Sequence, residues 1–121
     1  MLSCLIVDDN ASFLDAAAKL LEREGLAVVG VASTAAGALR QAQELEPDII
    51  LVDITLGLES GLDLARQLGE TGCDADVILI STHAEADFAD LIIQTTAAGF
   101  VPKSELSAAA IRRFVSASKE T

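Results

Sequence analysis

Basic residues are scarce in this sequence: 8 Lys and Arg stand against 19 Asp and Glu, which gives a formal net charge of -11. Because phosphate backbones attract Lys and Arg and repel an excess of carboxylates, direct binding of DNA or RNA by this chain is disfavoured. Cysteine is scarce as well, with Cys4 in an apolar run and Cys73 in a polar stretch. These two make neither a disulfide framework nor a Cys-x-x-Cys motif, and we expect one core thiol and one loop thiol.

Long hydrophobic runs are missing too. No apolar stretch approaches the ~18 residues that a membrane-spanning helix requires. The first residues lack the basic start and long apolar run of a secretion signal, so we expect a cytoplasmic protein without a membrane partner. Hydrophobic residues nevertheless make up 51% of the 121 residues. A chain of this length buries enough surface to form a core without disulfides or a structural metal, and residues 1–121 are expected to form a single domain.

Short apolar runs alternate with longer segments of helical periodicity, a pattern typical of βα units around a parallel sheet. Strands are predicted at residues 4–7, 28–32, 48–53, 77–81 and 99–102. The first two helices are amphipathic, and their apolar positions are Phe13, Ala16, Ala17, Leu20 and Leu21, then Ala35, Ala38, Leu39 and Ala42.

Helix starts are marked by hydroxyl residues. Ser60 and Thr82 each precede an acidic residue by three positions, so the hydroxyl can accept from a free backbone N–H while the acid reaches back. These two residues are predicted to open the third and fourth helices. A fifth helix is predicted to start near Ser107, with Leu106 and Ile111 as a hydrophobic staple. Five βα units then account for the chain.

Polar side chains stand where the predicted strands end. Asp8 and Asp9 follow the first strand, Asp53 ends the third, Ser81 ends the fourth and Lys103 follows the fifth. Because the carboxyl ends of parallel strands meet at one edge of a sheet, these side chains should converge. Three carboxylates repel one another unless a hard, oxygen-preferring cation such as Mg²⁺ compensates. A carboxylate there can attack phosphorus, with the ammonium and the hydroxyl stabilising phosphoryl oxygens.

At these residues the sequence resembles the receiver domain of two-component response regulators. The matching motifs are Val-Asp-Asp at 7–9, Leu-Val-Asp at 51–53 with Gly61 eight residues beyond, Ile-Ser at 80–81 and Gly-Phe-Val-Pro-Lys-Ser at 99–104. The last segment is most similar to receivers that precede LuxR-type helix-turn-helix domains. The resemblance implies a flavodoxin-like α/β fold, (βα)5, with a five-stranded parallel sheet of order 2-1-3-4-5.

The resemblance also implies phosphotransfer from a sensor histidine kinase to Asp53. Asp53 would be both the phosphoacceptor and a Mg²⁺ ligand, Asp9 a direct ligand and Asp8 a ligand through water. The backbone carbonyl of Thr55 would complete the ligand set, and Lys103 would neutralise a phosphoryl oxygen. The protein would catalyse only its own phosphorylation and dephosphorylation, and it would not be an enzyme that turns over a metabolite.

Further positions match those that carry the signal in receivers. Ser81 and Phe100 stand where phosphorylation is coupled to a change of the surface around helix 4, strand 5 and helix 5. His83, two residues beyond Ser81, and Thr55 are candidate modulators of phosphoryl loss. Each position also has an ordinary interpretation: Phe100 as a plain core residue, Ser81 as a strand end and His83 as an exposed loop residue.

Two departures from the family pattern affect the loops. Gly57 stands where many receivers have Pro four residues after the acceptor, which predicts a looser loop after the third strand. Pro102 precedes Lys103, whereas many receivers have Pro after this Lys. Because cis peptides are rare before a residue such as Ser104, a cis bond after Lys103 is not expected.

Other functions compete for the same residues. Asp8 and Asp9 could merely form a solvated loop or cap a helix that begins near Ala11. An aspartyl-phosphate phosphatase of the haloacid dehalogenase type needs Asp-x-Asp where this chain has Asp8-Asp9-Asn10. A flavin carrier is disfavoured by the absence of Trp and Tyr and of a Thr/Ser/Gly-rich phosphate loop. A protein-interaction domain that works without phosphorylation is the last alternative. The only argument against it is that the set of site residues is complete.

The output of the switch has two readings. The chain is either a single-domain regulator that docks onto a partner or the receiver of a longer DNA-binding protein, and the LuxR-like segment favours the second. DNA would then be bound only through a C-terminal domain outside this sequence. A second copy of the chain, forming a homodimer, is a further candidate partner.

Overall fold

The computed structural model describes residues 1–82 and 97–115. All five predicted strands are present, and no end differs from the prediction by more than one residue: β1 (Ser3–Val7), β2 (Ala27–Ala32), β3 (Ile49–Asp53), then β6 (Asp76–Ser81) and β7 (Gly99–Pro102). Two short strands that the sequence did not predict, β4 (Thr55–Leu56) and β5 (Glu59–Ser60), form an antiparallel hairpin after β3.

The five long strands form one parallel sheet in the order β2-β1-β3-β6-β7. With the hairpin set aside, this is the predicted order 2-1-3-4-5, so the flavodoxin-like fold is confirmed. All five residues of β3 are buried, as expected for a central strand covered on both faces. The strand order reverses between β1 and β3, which is where open α/β sheets bind ligands.

Helices cover both faces of the sheet: α1 (Ala11–Arg23), α2 (Ala35–Leu45), α3 (Gly61–Glu70) and a short helix, Ala108–Arg112. Successive residues of β1 point to opposite faces, so Cys4 and Ile6 join one core cluster and Leu5 and Val7 the other. The first cluster lies under α1 and the short helix, and the second lies under α2 and α3. Among the described residues no helix is both long and apolar enough to cross a bilayer.

The buried face of α1 differs from the predicted one. Leu14, Ala17 and Leu21 are buried, which is the i, i+3, i+7 spacing of one helix face. Ala16, which the sequence predicts on that face, is exposed. Alanine packs on either face because it is small, so its position carried little information about the side that faces the sheet.

Two helix starts are confirmed, one of them without the predicted return contact of its acidic residue. The Ser60 hydroxyl accepts from Asp63 N at 3.2 Å, but the Asp63 carboxylate pairs with Arg66 at 3.1 Å. The Ser107 hydroxyl accepts from Ala110 N at 3.0 Å, and both staple residues beside it are buried in one cluster. The predicted fourth helix, opened by Thr82, falls in residues 83–96 and lies outside the described residues.

The two thiols are free and occupy different environments. Cys4 is fully buried in β1, and burial raises its pKa to about 12. Cys73 is half-buried in the connection between α3 and β6. The prediction of one core thiol and one loop thiol is therefore confirmed.

Candidate functional site

Asp8 is the first residue after β1 and is completely buried. Its backbone N–H donates to Ala32 O at 3.0 Å, which continues the β1–β2 ladder by one residue. Its Oδ1 accepts from Asn10 N at 2.9 Å, and the Asn10 side chain in turn accepts from Phe13 N at 3.0 Å. Asn10 is therefore the N-cap of α1, and the alternative in which Asp8 and Asp9 cap this helix is wrong.

Asp53 ends β3 and is 6% exposed. Its Oδ1 accepts from Thr55 N at 3.1 Å, and its Oδ2 lies 3.2 Å from Lys103 Nζ. Burial, and after it the charge of Asp8, raise the pKa of Asp53 above its ordinary value. Lys103 and the Thr55 N–H act in the opposite direction but offset only part of that rise.

Lys103 follows β7 and begins a 3-10 turn, Lys103–Glu105. Its Nζ lies 2.5 Å from Asp8 Oδ2 as well as 3.2 Å from Asp53 Oδ2. Burial alone would lower the pKa of Lys103, but the hydrogen bonds and charges of the two carboxylates outweigh burial and raise it. The ammonium therefore stays charged at neutral pH and ties the ends of β1 and β3 to the end of β7.

Carboxylate oxygens of Asp8, Asp9 and Asp53 lie within 4.8 Å of one another. Asp8 and Asp53 are buried, whereas Asp9 is exposed and faces the solvent side of the group. The Asp8 Oδ2 atom accepts no hydrogen bond of good geometry from the described residues, and its one close partner is the Lys103 ammonium. Among the residues that the structure describes, three carboxylates against one ammonium leave an excess of negative charge, and this donor set fits a hard divalent cation.

The β4–β5 hairpin lies beside this carboxylate group. Its two-residue turn contains Gly57 at φ 61, a conformation that glycine adopts without strain. A Cβ at Gly57 would lie 3.4 Å from Asp9 Oδ2, so the turn passes close to the exposed carboxylate. A hairpin thus stands where the sequence predicted a looser loop.

Gly61 opens α3 directly against the end of β3. A Cβ at this position would lie 1.7 Å from the carbonyl oxygen of Asp53, and the Gly61 N–H donates to Ile54 O at 2.8 Å. No side chain fits here without moving the backbone that carries Asp53. The sequence signal for Gly61 was its place in the matched motif.

Three further residues were predicted from the sequence to take part in the site: Ser81, Phe100 and His83. Ser81 ends β6, is 1% exposed and pairs in register with Pro102, the residue before Lys103. Phe100 is buried in the cluster under α2 and α3. His83 lies outside the described residues. Among the described residues no peptide bond is cis, so the bond after Lys103 is trans as expected.

One contact at the site is not predicted by the sequence. The Lys103 ammonium lies 4.4 Å from the centroid of the Phe13 ring. We had assigned Phe13 only to the apolar face of α1. The available signal was its position in the first turn of the helix that follows the Asp8-Asp9 pair.

Comparisons with known proteins agree with this geometry. The sequence matches the response regulator receiver domain over residues 4–115. The response regulator GacA of Pseudomonas aeruginosa is 33% identical over 104 residues, which cover 85% of this chain and 49% of GacA. The chain spans about half the length of the curated relatives it matches.

Solved structures give the same result. A LuxR-family two-component response regulator from Aurantimonas superposes with a TM-score of 0.83 at 29% identity, over 93% of this chain and 81% of that one. A Burkholderia pseudomallei response regulator, solved with a phosphorylated aspartic acid and a calcium ion, gives 0.82 at 28% identity, over 99% and 69%. The chain belongs to the response regulator receiver domain family.

Proposed function

We propose that residues 1–121 form one phosphorylation-activated receiver domain, which accepts a phosphoryl group on Asp53 from a sensor histidine kinase. The observation that carries the proposal is the position of the Asp53 carboxylate, 3.2 Å from the Lys103 ammonium and within 4.8 Å of the Asp8 and Asp9 carboxylates. The phosphorylated aspartic acid in the Burkholderia relative supports it.

In the transfer, an Asp53 oxygen attacks the phosphorus of the phosphohistidine, the P–N bond breaks and the imidazole leaves with the electron pair. The Thr55 N–H holds the Asp53 Oδ1 atom and so fixes the rotation of the carboxylate. Lys103 exchanges its contact with Asp53 Oδ2 for a phosphoryl oxygen, and the Ser81 hydroxyl binds another. A Mg²⁺ ion held by Asp8, Asp9, Asp53 and the Thr55 carbonyl would supply further neutralisation of the transferring charge.

The phosphoacceptor can be tested without knowledge of the kinase. Acetyl phosphate with Mg²⁺ should add the mass of one phosphoryl group to the wild type, and Asp53→Asn should add none, as read by intact-mass spectrometry. Asp63→Asn is the matched control, since Asp63 is an exposed aspartate on α3, and it should be phosphorylated like the wild type. A full mass gain in Asp53→Asn would refute the acceptor.

Mg²⁺ should stabilise the folded domain, because the ion offsets repulsion among carboxylates that are brought together only by folding. The gain should be about 1.4 kcal/mol at an ion concentration of roughly ten times Kd. Asp9→Asn should remove most of this gain and raise the melting temperature of the metal-free protein. Asp15→Asn, an exposed change on α1, the helix that follows Asp9, should keep the gain. A wild-type melting temperature indifferent to Mg²⁺ would contradict the metal assignment.

The signal is proposed to leave the site through Ser81 and Phe100. If the Ser81 hydroxyl moves to the phosphoryl group, the strand ends of β6 and β7 shift with it, and Phe100 on β7 changes its packing. Phe100 is buried already, so we expect repacking of its ring and not a move from solvent to core. The predicted fourth helix, also part of this surface, lies outside the described residues.

Beryllofluoride should shift the amide NMR signals of Gly99, Phe100, Val101 and Lys103 more than those of α2. Ser81→Ala should still accept the phosphoryl group but show smaller shifts at Phe100, because the hydroxyl that couples the two sites is gone. Shifts confined to the neighbours of Asp53 would contradict this route and leave the acceptor intact.

The output is proposed to be transcriptional. This output is supported by a putative transcriptional regulator of Pseudomonas aeruginosa, of which the matched segment covers 51%. The acidic surface of this chain makes direct DNA contact by the receiver unfavourable.

A further inference from the structure

The Lys103 ammonium has a third partner besides its two carboxylates. Its Nζ lies 4.4 Å from the centroid of the Phe13 ring, within the ~6 Å over which the face of an aromatic ring attracts a cation. The Lys103 side chain is only 14% exposed. Because water screens such a contact weakly in a shielded place, the attraction is stronger here than at an open surface.

The ring is held in place by the same loop that positions the first carboxylate. Asp8 accepts from Asn10 N, and Asn10 accepts from Phe13 N in the first turn of α1. The ring itself is half-buried and packs against the cluster under α1. Phe13 therefore lies in the first turn of a helix that two hydrogen bonds link to Asp8 at the end of β1.

We propose that Phe13 is a positioning residue for Lys103. The face of the Phe13 ring holds the Lys103 ammonium beside Asp53 while a phosphoryl group arrives. The proposal rests on the proposed function, in which Lys103 leaves Asp53 Oδ2 for a phosphoryl oxygen. A ring carries no net charge, so it attracts the ammonium without adding to the negative charge that repels the phosphoryl donor. A third carboxylate in its place would hold Lys103 more tightly and raise that repulsion.

Graded fluorination of the Phe13 ring tests this role. Fluorine withdraws electron density from the ring face and changes the ring size little, so a cation–π contact weakens stepwise. From phenylalanine to its trifluoro form, the rate constant for phosphorylation by acetyl phosphate with Mg²⁺ should fall stepwise by about fivefold in total. Phe13→Leu should show a similar loss, and Phe13→Tyr should stay within about twofold of the wild type, since it keeps the ring.

Phe114 provides the matched control. It is half-buried beside Gly99 in the same core cluster, and fluorination there should leave the rate unchanged. A spectroscopic signature is also expected: the ring current should move the Lys103 ε-methylene proton signals upfield in the wild type and in Phe13→Tyr, and Phe13→Leu should lose this shift. Melting temperatures show that each variant is folded.

The outcomes separate the two claims. If the wild type is phosphorylated and all fluorinated variants share its phosphorylation rate constant, the role of Phe13 is overturned and the proposed function stays intact. An unshifted Lys103 signal in the wild type would overturn it as well. A wild type that accepts no phosphoryl group would overturn the proposed function, and the role of Phe13 with it.

Discussion

Replacement of Gly61 by alanine should destabilise the domain by about 3 kcal/mol, the upper end of the usual cost of overpacking, because the backbone must also move. The added Cβ would lie 1.7 Å from the Asp53 carbonyl oxygen and 2.9 Å from Ile54 Cα. These are backbone atoms, so relief requires α3 to move away from the end of β3. Urea unfolding measures the loss.

Gly72→Ala is the matched control for this prediction. Gly72 has φ 76, and a Cβ there would meet nothing within 4 Å, so only the backbone conformation is penalised, at about 1–2 kcal/mol. If Gly61→Ala cost no more than Gly72→Ala, the close approach of α3 to Asp53 would be wrong. The Gly61→Ala variant should also be phosphorylated more slowly than the wild type, because the displaced backbone carries the acceptor Asp53.

Replacement of Lys103 by methionine should cost about 3 kcal/mol at pH 7 without metal, because it removes a cation that contacts two buried carboxylates. Lys19→Met is the control: Lys19 forms an exposed ion pair with Asp15, and its loss should cost under about 1 kcal/mol. Addition of Mg²⁺ should raise the free energy of unfolding of Lys103→Met by more than that of the wild type. Equal losses in the two variants would contradict the buried network.

The loss in Lys103→Met should shrink as the pH falls from 7 towards about 5. The pKa of Asp53 is raised in the folded protein by burial and by the charge of Asp8, and removal of Lys103 raises it further. A carboxyl group whose pKa is higher in the folded state binds its proton more tightly there, so protonation favours folding. Unfolding curves in EDTA at both pH values measure the change. A loss that grows at lower pH would contradict this assignment.

The sheet and the site edge were predictable because both depend on strong local signals. Apolar runs bounded by polar residues locate β1, β3 and β6 to within one residue. Each of these strands ends in or before a site residue, and strand polarity alone brings those residues together. The convergence of Asp8, Asp53 and Lys103 therefore needed no knowledge of the packing between helices.

The rest depends on packing that no short pattern encodes. The strands of the hairpin, Thr55–Leu56 and Glu59–Ser60, have two residues each, too few for an alternating period to show. The contact of Phe13 with Lys103 joins residues at opposite ends of the chain and depends on the rotation of α1 about its axis. The rotation of α1 about its axis also decides whether Ala16 is buried. Ala16 was wrongly predicted because a small alanine side chain does not indicate which side of α1 is buried.

Peptide mapping after borohydride reduction tests the central claim most directly. Borohydride converts an aspartyl phosphate to homoserine, so it marks the residue that carried the phosphoryl group. After incubation with acetyl phosphate and Mg²⁺, homoserine should be found at position 53 alone, and Asp63→Asn should give the same map. Homoserine at position 8 or 9, or at no position in a protein that gained phosphoryl mass, would contradict the account.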